Sequence, residues 1–277
     1  MKKIKYPLIV TDFDGTLLRS DGKYGDKTKK AILKYVDDGG TFVISTGRMP
    51  IAILPRAKEL GLKGLLSCGQ GSVVVDIESG NELMRGSIEH ALTLEICEKL
   101  ESLNLHIQVY EPWEYYSNMD DEPLRLYEHA VRVRATRVTD KPLSQFIKEK
   151  KMCASKFLVM VMPEMKMALY NELVKTFKDK CYVTTSGDYF VEICNPEYTK
   201  GTAMEYLSKK LDIPLENAIA IGDQWNDLPM LERAGLGIAV ANAQAELKAV
   251  AQTLPVSNDE DAVGFVIENY AYTEDEI

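Results

Sequence analysis

Two aspartates, Asp12 and Asp14, follow an apolar run over residues 8–10 and are followed at once by Gly15. The run is typical of a buried central strand, and the glycine of a tight loop behind it. In an open α/β sheet, ligands bind beyond the carboxyl ends of the strands. Two carboxylates that converge there raise each other's pKa unless a cation lies between them. The pair therefore indicates chemistry around a cation, although Asp and Gly also commonly just end a strand and begin a turn.

Three later segments also place polar residues after an apolar run or at the start of a helix. Thr46 follows a second apolar run at 41–45, Lys200 opens a late helix, and the segment 222–227 (GDQWND) follows a third run at 218–221. Taken singly, Thr46 is more typical of a helix cap or loop residue, and Lys200 of a solvated lysine. Parallel topology, however, brings the carboxyl ends of strands to one edge of the sheet. We therefore expect these segments to meet the Asp12 loop.

Only oxygen ligands are available at this edge, namely the carboxylates of Asp12 and Asp223 and the backbone carbonyl of Asp14. Such a set, with room for water and a phosphate oxygen, fits Mg²⁺ better than zinc. Two carboxylates offset the two charges of the ion, so the site stays near neutral until an anionic substrate arrives. The sequence therefore predicts Mg²⁺ as the cofactor.

The elements that must position these residues alternate between strand and helix. The patterns predict strands at 8–11, 41–45 and 65–67, helices at 28–38 and 50–60, and a β-hairpin from 72–76 and 82–85. The parallel-sheet pattern is predicted to return at 189–193, with a helix at 200–211, strands at 218–221 and 236–240, helices at 228–234, 244–251 and 259–270, and an acidic tail. This order is typical of a parallel sheet with right-handed crossovers.

Between these two parts the pattern of apolar residues changes. It predicts a helix at 88–103, strands at 105–110 and 113–117, a mixed polar region, a strand at 154–162, a helix at 163–177 and a strand at 181–185. Residues 86–188 are therefore predicted to form an inserted α+β module, and residues 1–85 and 189–277 the parallel-sheet core.

Composition narrows the possible partners. The chain has 277 residues, of which 45% are hydrophobic, and a formal net charge of −9. This charge argues against nucleic acid or an anionic membrane as a partner, and no apolar run approaches the ~18 residues of a membrane helix. The five cysteines contain no C-x-x-C pair. We therefore expect reduced thiols and a cytoplasmic location.

Together the four segments, around Asp12, Thr46, Lys200 and Asp223, resemble the motifs of the haloacid dehalogenase-like (HAD) phosphatases, and among them the Cof-type subfamily. The resemblance covers nearly the whole chain and implies an α/β fold: a HAD-like Rossmannoid core with a parallel sheet and an inserted α+β cap of the C2B type. The cap falls at residues 86–188. One departure lies at 70–72, where Gln-Gly-Ser stands in place of the Asn-Gly-Ala frequent in the subfamily.

The resemblance and the chemistry of the side chains assign roles. Asp12 is predicted to attack phosphorus and form an aspartyl-phosphate, and Asp14 to act as general acid and then base, which requires a raised pKa. The predicted metal ligands are Asp12, Asp14 and Asp223. The predicted phosphate contacts are the backbone N–H groups of Phe13 and Gly47 and the side chains of Thr46, Lys200 and Asn226. Asp227 is predicted to hold Lys200 or a metal-bound water, and Arg48 to contact the substrate or to form a surface salt bridge.

The predicted function is Mg²⁺-dependent hydrolysis of a small phosphorylated metabolite such as a sugar phosphate, nucleotide or vitamin phosphate, by a monomer or weak homo-oligomer. A phosphomutase or phosphotransferase of the same fold is the enzymatic alternative. A phospho-accepting or ligand-binding protein without catalysis is an alternative of another class. A receiver-type domain has no need of a second acid at position 14 or of a cap of about one hundred residues, which favours the enzyme.

Overall fold

The computed structural model describes residues 3–273, so that the acidic tail at 274–277 lies outside the described residues. The strands are β1 (Leu8–Thr11), β2 (Thr41–Ile44), β3 (Leu65–Cys68), β4 (Val73–Asp76), β5 (Glu82–Arg85), β6 (His106–Glu111), β7 (Glu114–Ser117), β8 (Thr136–Arg137), β9 (Lys156–Met160), β10 (Tyr182–Ser186), β11 (Phe190–Cys194), β12 (Ala218–Gly222), β13 (Leu236–Ala239) and β14 (Gln252–Thr253). The helices are α1 (Asp26–Asp37), α2 (Pro50–Glu59), α3 (His90–Ser102), α4 (Glu122–Val131), α5 (Leu143–Lys150), α6 (Pro163–Thr176), α7 (Lys200–Leu211), α8 (Leu228–Leu231), α9 (Ala245–Lys248) and α10 (Ala262–Tyr270).

The core is a parallel sheet in the order β14-β13-β12-β1-β2. Strand β1 lies inside this sheet, between β12 and β2, and its four residues are buried. A continuous apolar run is what a strand covered on both faces requires. This topology places the carboxyl ends of β1, β2 and β12 side by side.

Beside the core sheet, a single parallel bridge between Ser45 and Ser67 connects the end of β2 to β3. Strand β3 then forms a three-stranded antiparallel sheet with β4 and β5. The hairpin predicted from the sequence at 72–76 and 82–85 is confirmed as β4 and β5.

The second large sheet has the order β10-β11-β9-β6-β7-β8 and is mostly antiparallel. We call this sheet, with helices α3 to α6, the cap. Ile107 and Val109 of β6 pack into an apolar cluster of the cap, whereas Tyr110 and Leu158 belong to the buried cluster that continues into the core. One face of the cap sheet is thus covered by its own helices, and the other is turned toward the core.

Two predictions about the inserted module are wrong. The strand predicted at 189–193 to rejoin the parallel sheet is β11, which pairs antiparallel with β9 and β10 of the cap sheet. The predicted division at 188/189 therefore separates two neighbouring strands of one sheet. An apolar run of this kind is compatible with an interior strand of either sheet. Which sheet the strand joins depends on its pairing with strands that are distant in sequence.

The second error concerns the region after β7, which was predicted only as mixed and polar. It contains α4, β8 and α5. Helix α4 begins with a sequence signal, because Asp121 caps it by accepting from Leu124 N–H and Pro123 lies in its first turn. None of the helices between residues 3 and 273 is long and apolar enough to cross a membrane.

Candidate active site

At the carboxyl edge of the core sheet, the Lys200 ammonium lies between two carboxylates. Its Nζ is 2.5 Å from Asp12 Oδ1 and 2.5 Å from Asp227 Oδ1, and all three side chains are buried. Asp12 is placed by the end of β1, and Lys200 by the start of α7, which a reciprocal cap between Thr199 and Thr202 fixes. Segments nearly two hundred residues apart thus form one ionic group, as the parallel topology predicted.

Asp227 shapes the loop that follows β12. Its Oδ2 accepts hydrogen bonds of 2.9 Å from the backbone N–H groups of both Asp223 and Gln224. A Cβ at Gly222 would lie 2.5 Å from the Cβ of Asp227, so the loop closes only around a glycine there. Asp227 therefore holds Lys200, one of the two predicted possibilities, and also folds the loop that carries Asp223.

Asp223 is held on the other side by the Asp12 loop. Its Oδ1 accepts from the Thr16 hydroxyl at 2.6 Å, and its Oδ2 accepts from Gln224 Nε2 at 3.1 Å. Gly15 has φ +80°, and a Cβ on it would lie 2.6 Å from Asp223 Oδ2. A glycine is therefore required after Asp14 both for the turn and for the close approach of Asp223.

The cluster is short of positive charge. Asp12, Asp223 and Asp227 each offer a carboxylate oxygen within 4.8 Å of the others, and the Lys200 ammonium contacts two of them, Asp12 and Asp227. Burial raises the pKa of Asp12 well above its ordinary value, an effect that Lys200 opposes and that Asp227 and Asp223 reinforce. Burial and Asp227 raise the pKa of Asp223 to about 6. A divalent cation fits this all-oxygen set, since it would offset the two remaining negative charges.

Lys200 remains charged in this setting. Burial alone would lower its pKa, but the adjacent Asp12 and Asp227 carboxylates raise the pKa above the ordinary lysine value. A permanently protonated ammonium at the edge of the cluster is suited to hold an anion against the carboxylates.

Asp14 lies apart from this cluster. Its carboxylate is half-exposed and accepts two bonds from the Arg48 guanidinium, of 2.8 Å from Nε and 2.7 Å from Nη2. The third carboxylate beside Asp12 and Asp223 is consequently that of Asp227, not that of Asp14. Arg48 also donates to the backbone carbonyl of Ala130 in α4, at 3.3 Å, and so connects the Asp14 loop to the cap. Of the two predicted possibilities for Arg48, the structure shows a salt bridge.

The remaining predicted phosphate contacts are near the same edge. Thr46 is buried, and its hydroxyl accepts from Arg48 N–H at 3.1 Å. The Gly47 carbonyl accepts from Lys156 Nζ of the cap at 2.8 Å. Phe13 is buried under the Arg48 guanidinium, whose centre lies 5.1 Å from the centroid of the ring.

Asn226 is part of a buried polar chain that the sequence did not predict. Its Nδ2 donates to Gln70 Oε1 at 2.9 Å, and Gln70 Nε2 donates to Glu192 Oε1 at 2.9 Å. Glu192 Oε2 in turn accepts from Lys156 Nζ at 2.5 Å. This Lys156–Glu192–Gln70–Asn226 chain connects the cap sheet to the loop after β12. Asn226 Oδ1 is buried with no partner of its own in the described residues, and Asn226 is one of the residues that line the cavity between core and cap.

Two signals in the sequence could have revealed this chain. Lys156 and Glu192 are opposite charges placed inside otherwise apolar strands, which is rare unless such charges are paired. Gln70 stands where the resemblance expects asparagine, and it has φ +62°, a conformation that asparagine adopts more readily. Near this chain, Tyr110 of the cap sheet stacks on Tyr115 with ring centroids 4.8 Å apart.

Core and cap enclose a cavity of about 910 Å³ between them. Its core end contains Asp12, Asp14, Thr46, Asp223 and Asn226, and its cap end is walled by the sheet face that carries Lys156 and Glu192 and by α4. A buried carboxylate and a candidate cation site at the core end of one cavity, with an ammonium bonded to that carboxylate, are suited to transfer or hydrolysis of an anionic group.

The comparisons with known proteins agree with this class. The family described as haloacid dehalogenase-like hydrolase matches residues 9–267, so the chain belongs to this family. A crystal structure from Thermotoga maritima superimposes with a TM-score of 0.81 at 29% identity, covering 97% of this chain and 98% of the other. A haloacid dehalogenase-like hydrolase from Bacillus subtilis gives a TM-score of 0.86 at 25% identity, covering 95% and 99%. The predicted fold class and family are thereby confirmed.

Curated relatives carry phosphatase names. The phosphatase YwpJ of Bacillus subtilis is 28% identical over 282 residues, covering 95% of this chain and 99% of that protein. An HMP-PP phosphatase of Yersinia pseudotuberculosis is 30% identical over 253 residues, covering 90% and 88%. The prediction of a phosphatase-type enzyme agrees with these names.

Proposed function

We propose that the chain is a Mg²⁺-dependent phosphomonoesterase that acts on a small phosphorylated metabolite through an aspartyl-phosphate on Asp12. The observation that carries the proposal is the buried cluster of Asp12, Asp223, Asp227 and Lys200, of which Asp12 and Asp223 line the cavity. A cluster that keeps a permanent cation and two uncompensated negative charges is suited to a divalent cation together with a phosphate.

In this proposal Asp12 attacks phosphorus in line and displaces the alcohol. The carboxylates of Asp12 and Asp223, with the carbonyl of Asp14, would hold Mg²⁺, which would offset charge on the phosphoryl oxygens. Lys200, the Thr46 hydroxyl, Asn226 and the N–H groups of Phe13 and Gly47 would orient the same oxygens. The N–H donors and the ammonium need no reorganisation as the charge develops, because the fold already holds their loops.

Asp14 would protonate the leaving oxygen and then activate the water that hydrolyses the intermediate. Because Asp14 forms a salt bridge with Arg48, it can take this role only after that salt bridge has broken. Both oxygens of the Asp14 carboxylate accept bonds from the Arg48 guanidinium, so Asp14 must separate from Arg48 to reach the leaving oxygen. The bond from Arg48 to Ala130 makes cap movement the natural means of separation, since the same guanidinium contacts both.

We also propose that the protein acts in the cytoplasm as a monomer or weak homo-oligomer, with no nucleic-acid or membrane partner. All five cysteines are free thiols, which a reducing compartment would preserve.

Phosphate release from p-nitrophenyl phosphate tests the proposal. We expect turnover with Mg²⁺, none with excess chelator, and recovery when Mg²⁺ is added back. Retained activity in chelator, or in the Asp12→Asn variant, would contradict it.

A further inference from the structure

The cap end of the cavity is walled mainly by apolar side chains. Leu126 of α4 and Met162, just before α6, are 64% and 57% exposed, and both line the cavity together with the half-exposed Tyr189. Leu158, Met160 and Phe190 of the cap sheet line it as well. Large apolar side chains that stay exposed around a cavity continuous with a reactive centre indicate a surface that a ligand covers.

Aromatic groups form part of this wall. The ring of Tyr127 meets that of Phe190 edge to face, with centroids 5.6 Å apart and an angle of 77° between the planes. The hydroxyl of Tyr127 is already bonded to the Tyr110 hydroxyl at 2.9 Å, so the ring of Tyr127, not its polar end, is available to a ligand.

The polar groups at this end are already paired. Lys156 donates to Glu192 and to the Gly47 carbonyl, and the Ser186 hydroxyl also donates to Glu192. Further along the wall, His106 pairs with Asp121 at 3.1 Å. Lys156 and Glu192 are both buried and of opposite charge, so the pair is electrically balanced without a ligand.

These contacts disfavour a polyol as the leaving group. Each sugar hydroxyl buried here would have to break an existing bond or remain unpaired, at a cost of about 1–3 kcal/mol. The faces of an aromatic ring need no hydrogen-bond partner and pack against methionine, leucine and aromatic edges.

We infer that the enzyme prefers phosphate monoesters whose leaving group carries a flat, largely apolar ring over monoesters of polyols such as hexose 6-phosphates. The inference rests on the proposed function, of which it specifies the substrate class. In this arrangement the phosphoryl group occupies the charged core end, and the ring lies between α4 and the apolar strip of the cap sheet.

A matched pair of primary phosphate esters tests the inference on the full chain with Mg²⁺. We expect kcat/KM for 2-phenylethyl phosphate to exceed that for glucose 6-phosphate by about 10-fold or more. The Leu126→Gln/Met162→Gln double variant changes only exposed positions of the wall. It should lower kcat/KM for the phenylethyl ester by about 10-fold and leave glucose 6-phosphate hydrolysis nearly unchanged. Met167→Gln is the control, since Met167 is 53% exposed on α6 and is not among the residues that line the cavity.

The outcomes separate the two levels of the proposal. If glucose 6-phosphate is the better substrate, or if the double variant leaves the ratio of the two esters unchanged, the inferred substrate class is wrong while the phosphatase stands. If neither ester releases phosphate while p-nitrophenyl phosphate is hydrolysed with Mg²⁺, the inferred substrate class is also wrong. If p-nitrophenyl phosphate is not hydrolysed either, the proposed function fails and the inference fails with it.

Discussion

Two buried lysine–carboxylate groups, one in the core and one on the cap sheet, differ in charge balance. At the core end, Lys200 faces Asp12 and Asp227, with Asp223 beside them. At the cap end, Lys156 faces Glu192, whose remaining oxygen is satisfied by Gln70 and Ser186. The core group has two more negative charges than positive ones, whereas the cap group is neutral and fully bonded.

This difference in charge gives separate roles to two groups that consist of the same types of residue. Removing a charge from water costs several kcal/mol unless it is paired, so a buried excess is tolerated where a ligand offsets it. The core end is therefore prepared to take up a cation and a phosphate. The cap end needs neither. Its Lys156–Glu192 pair connects the cap sheet to the loops that carry Gly47 and Asn226.

The largest effect expected is that of Asp12→Asn. The variant keeps the size of the side chain and removes the nucleophile, so kcat with p-nitrophenyl phosphate should fall by about 10⁴-fold or more. Urea unfolding of the same variant shows whether the fold is intact. An intact variant with more than a hundredth of wild-type activity would place the chemistry elsewhere.

The two lysines can be compared directly through Lys200→Met and Lys156→Met. Each leaves buried carboxylates without their ammonium and should lower the free energy of unfolding by about 3–5 kcal/mol. Mg²⁺ should stabilise the wild type and both variants, because all three keep the core carboxylates. The gain should be largest for Lys200→Met, where the cation also offsets the charge left without its ammonium. Urea titrations of both variants with Mg²⁺ and with chelator measure this. Equal recovery of the two variants would remove the distinction between the ends.

Asp14→Asn separates acid catalysis from attack. With an alkyl phosphate the loss in kcat/KM should be about 10²–10⁴-fold, because the poor leaving group needs a proton. With p-nitrophenyl phosphate, whose leaving group is stable as an anion, the loss at the first step should be much smaller. Equal losses with the two esters would argue against Asp14 as the acid.

A smaller effect is expected on how the free energy of unfolding depends on pH and on Mg²⁺. The pKa of Asp223 is raised to about 6 in the metal-free fold, so its protonated form favours folding. The associated stability is complete below about pH 4 and is lost as the pH rises to about 6, by up to about 3 kcal/mol. Mg²⁺ should reverse this trend by binding the ionised carboxylate. Unfolding free energies of the wild type and Asp223→Asn, measured from pH 4 to 7, give the contribution as a difference. If the difference in unfolding free energy between the two proteins did not change with pH, it would contradict a contribution from the Asp223 carboxyl.

The sequence predicted the core end well because its signals are local. The Asp12 loop, the Thr46 loop and the start of α7 each lie where an apolar run or a helix pattern begins or ends, and parallel topology supplies their meeting point. The positive φ of Gly15 is equally local, since it follows from the tight turn after Asp14, whereas its contact with Asp223 depends on the pairing of β1 with β12.

The cap end was predicted poorly because its structure depends on distant pairing. β11 reads as a buried strand from its own residues, but only its pairing with β9 and β10 places it in the cap sheet. Gln70 joins residues 122 and 156 positions away, and no local pattern encodes such contacts. The carboxylate of Asp14 likewise lies where Arg48 holds it, 34 positions along the chain.

The most direct test of the account is chemical detection of the phosphoryl group on Asp12. The Asp14→Asn variant, incubated with Mg²⁺ and p-nitrophenyl phosphate and quenched in acid, should contain up to one phosphate per chain. That phosphate should be labile to hydroxylamine and map by mass spectrometry to the peptide that carries Asp12. Turnover of the substrate with no such label on that peptide, or with the label on another residue, would contradict the account.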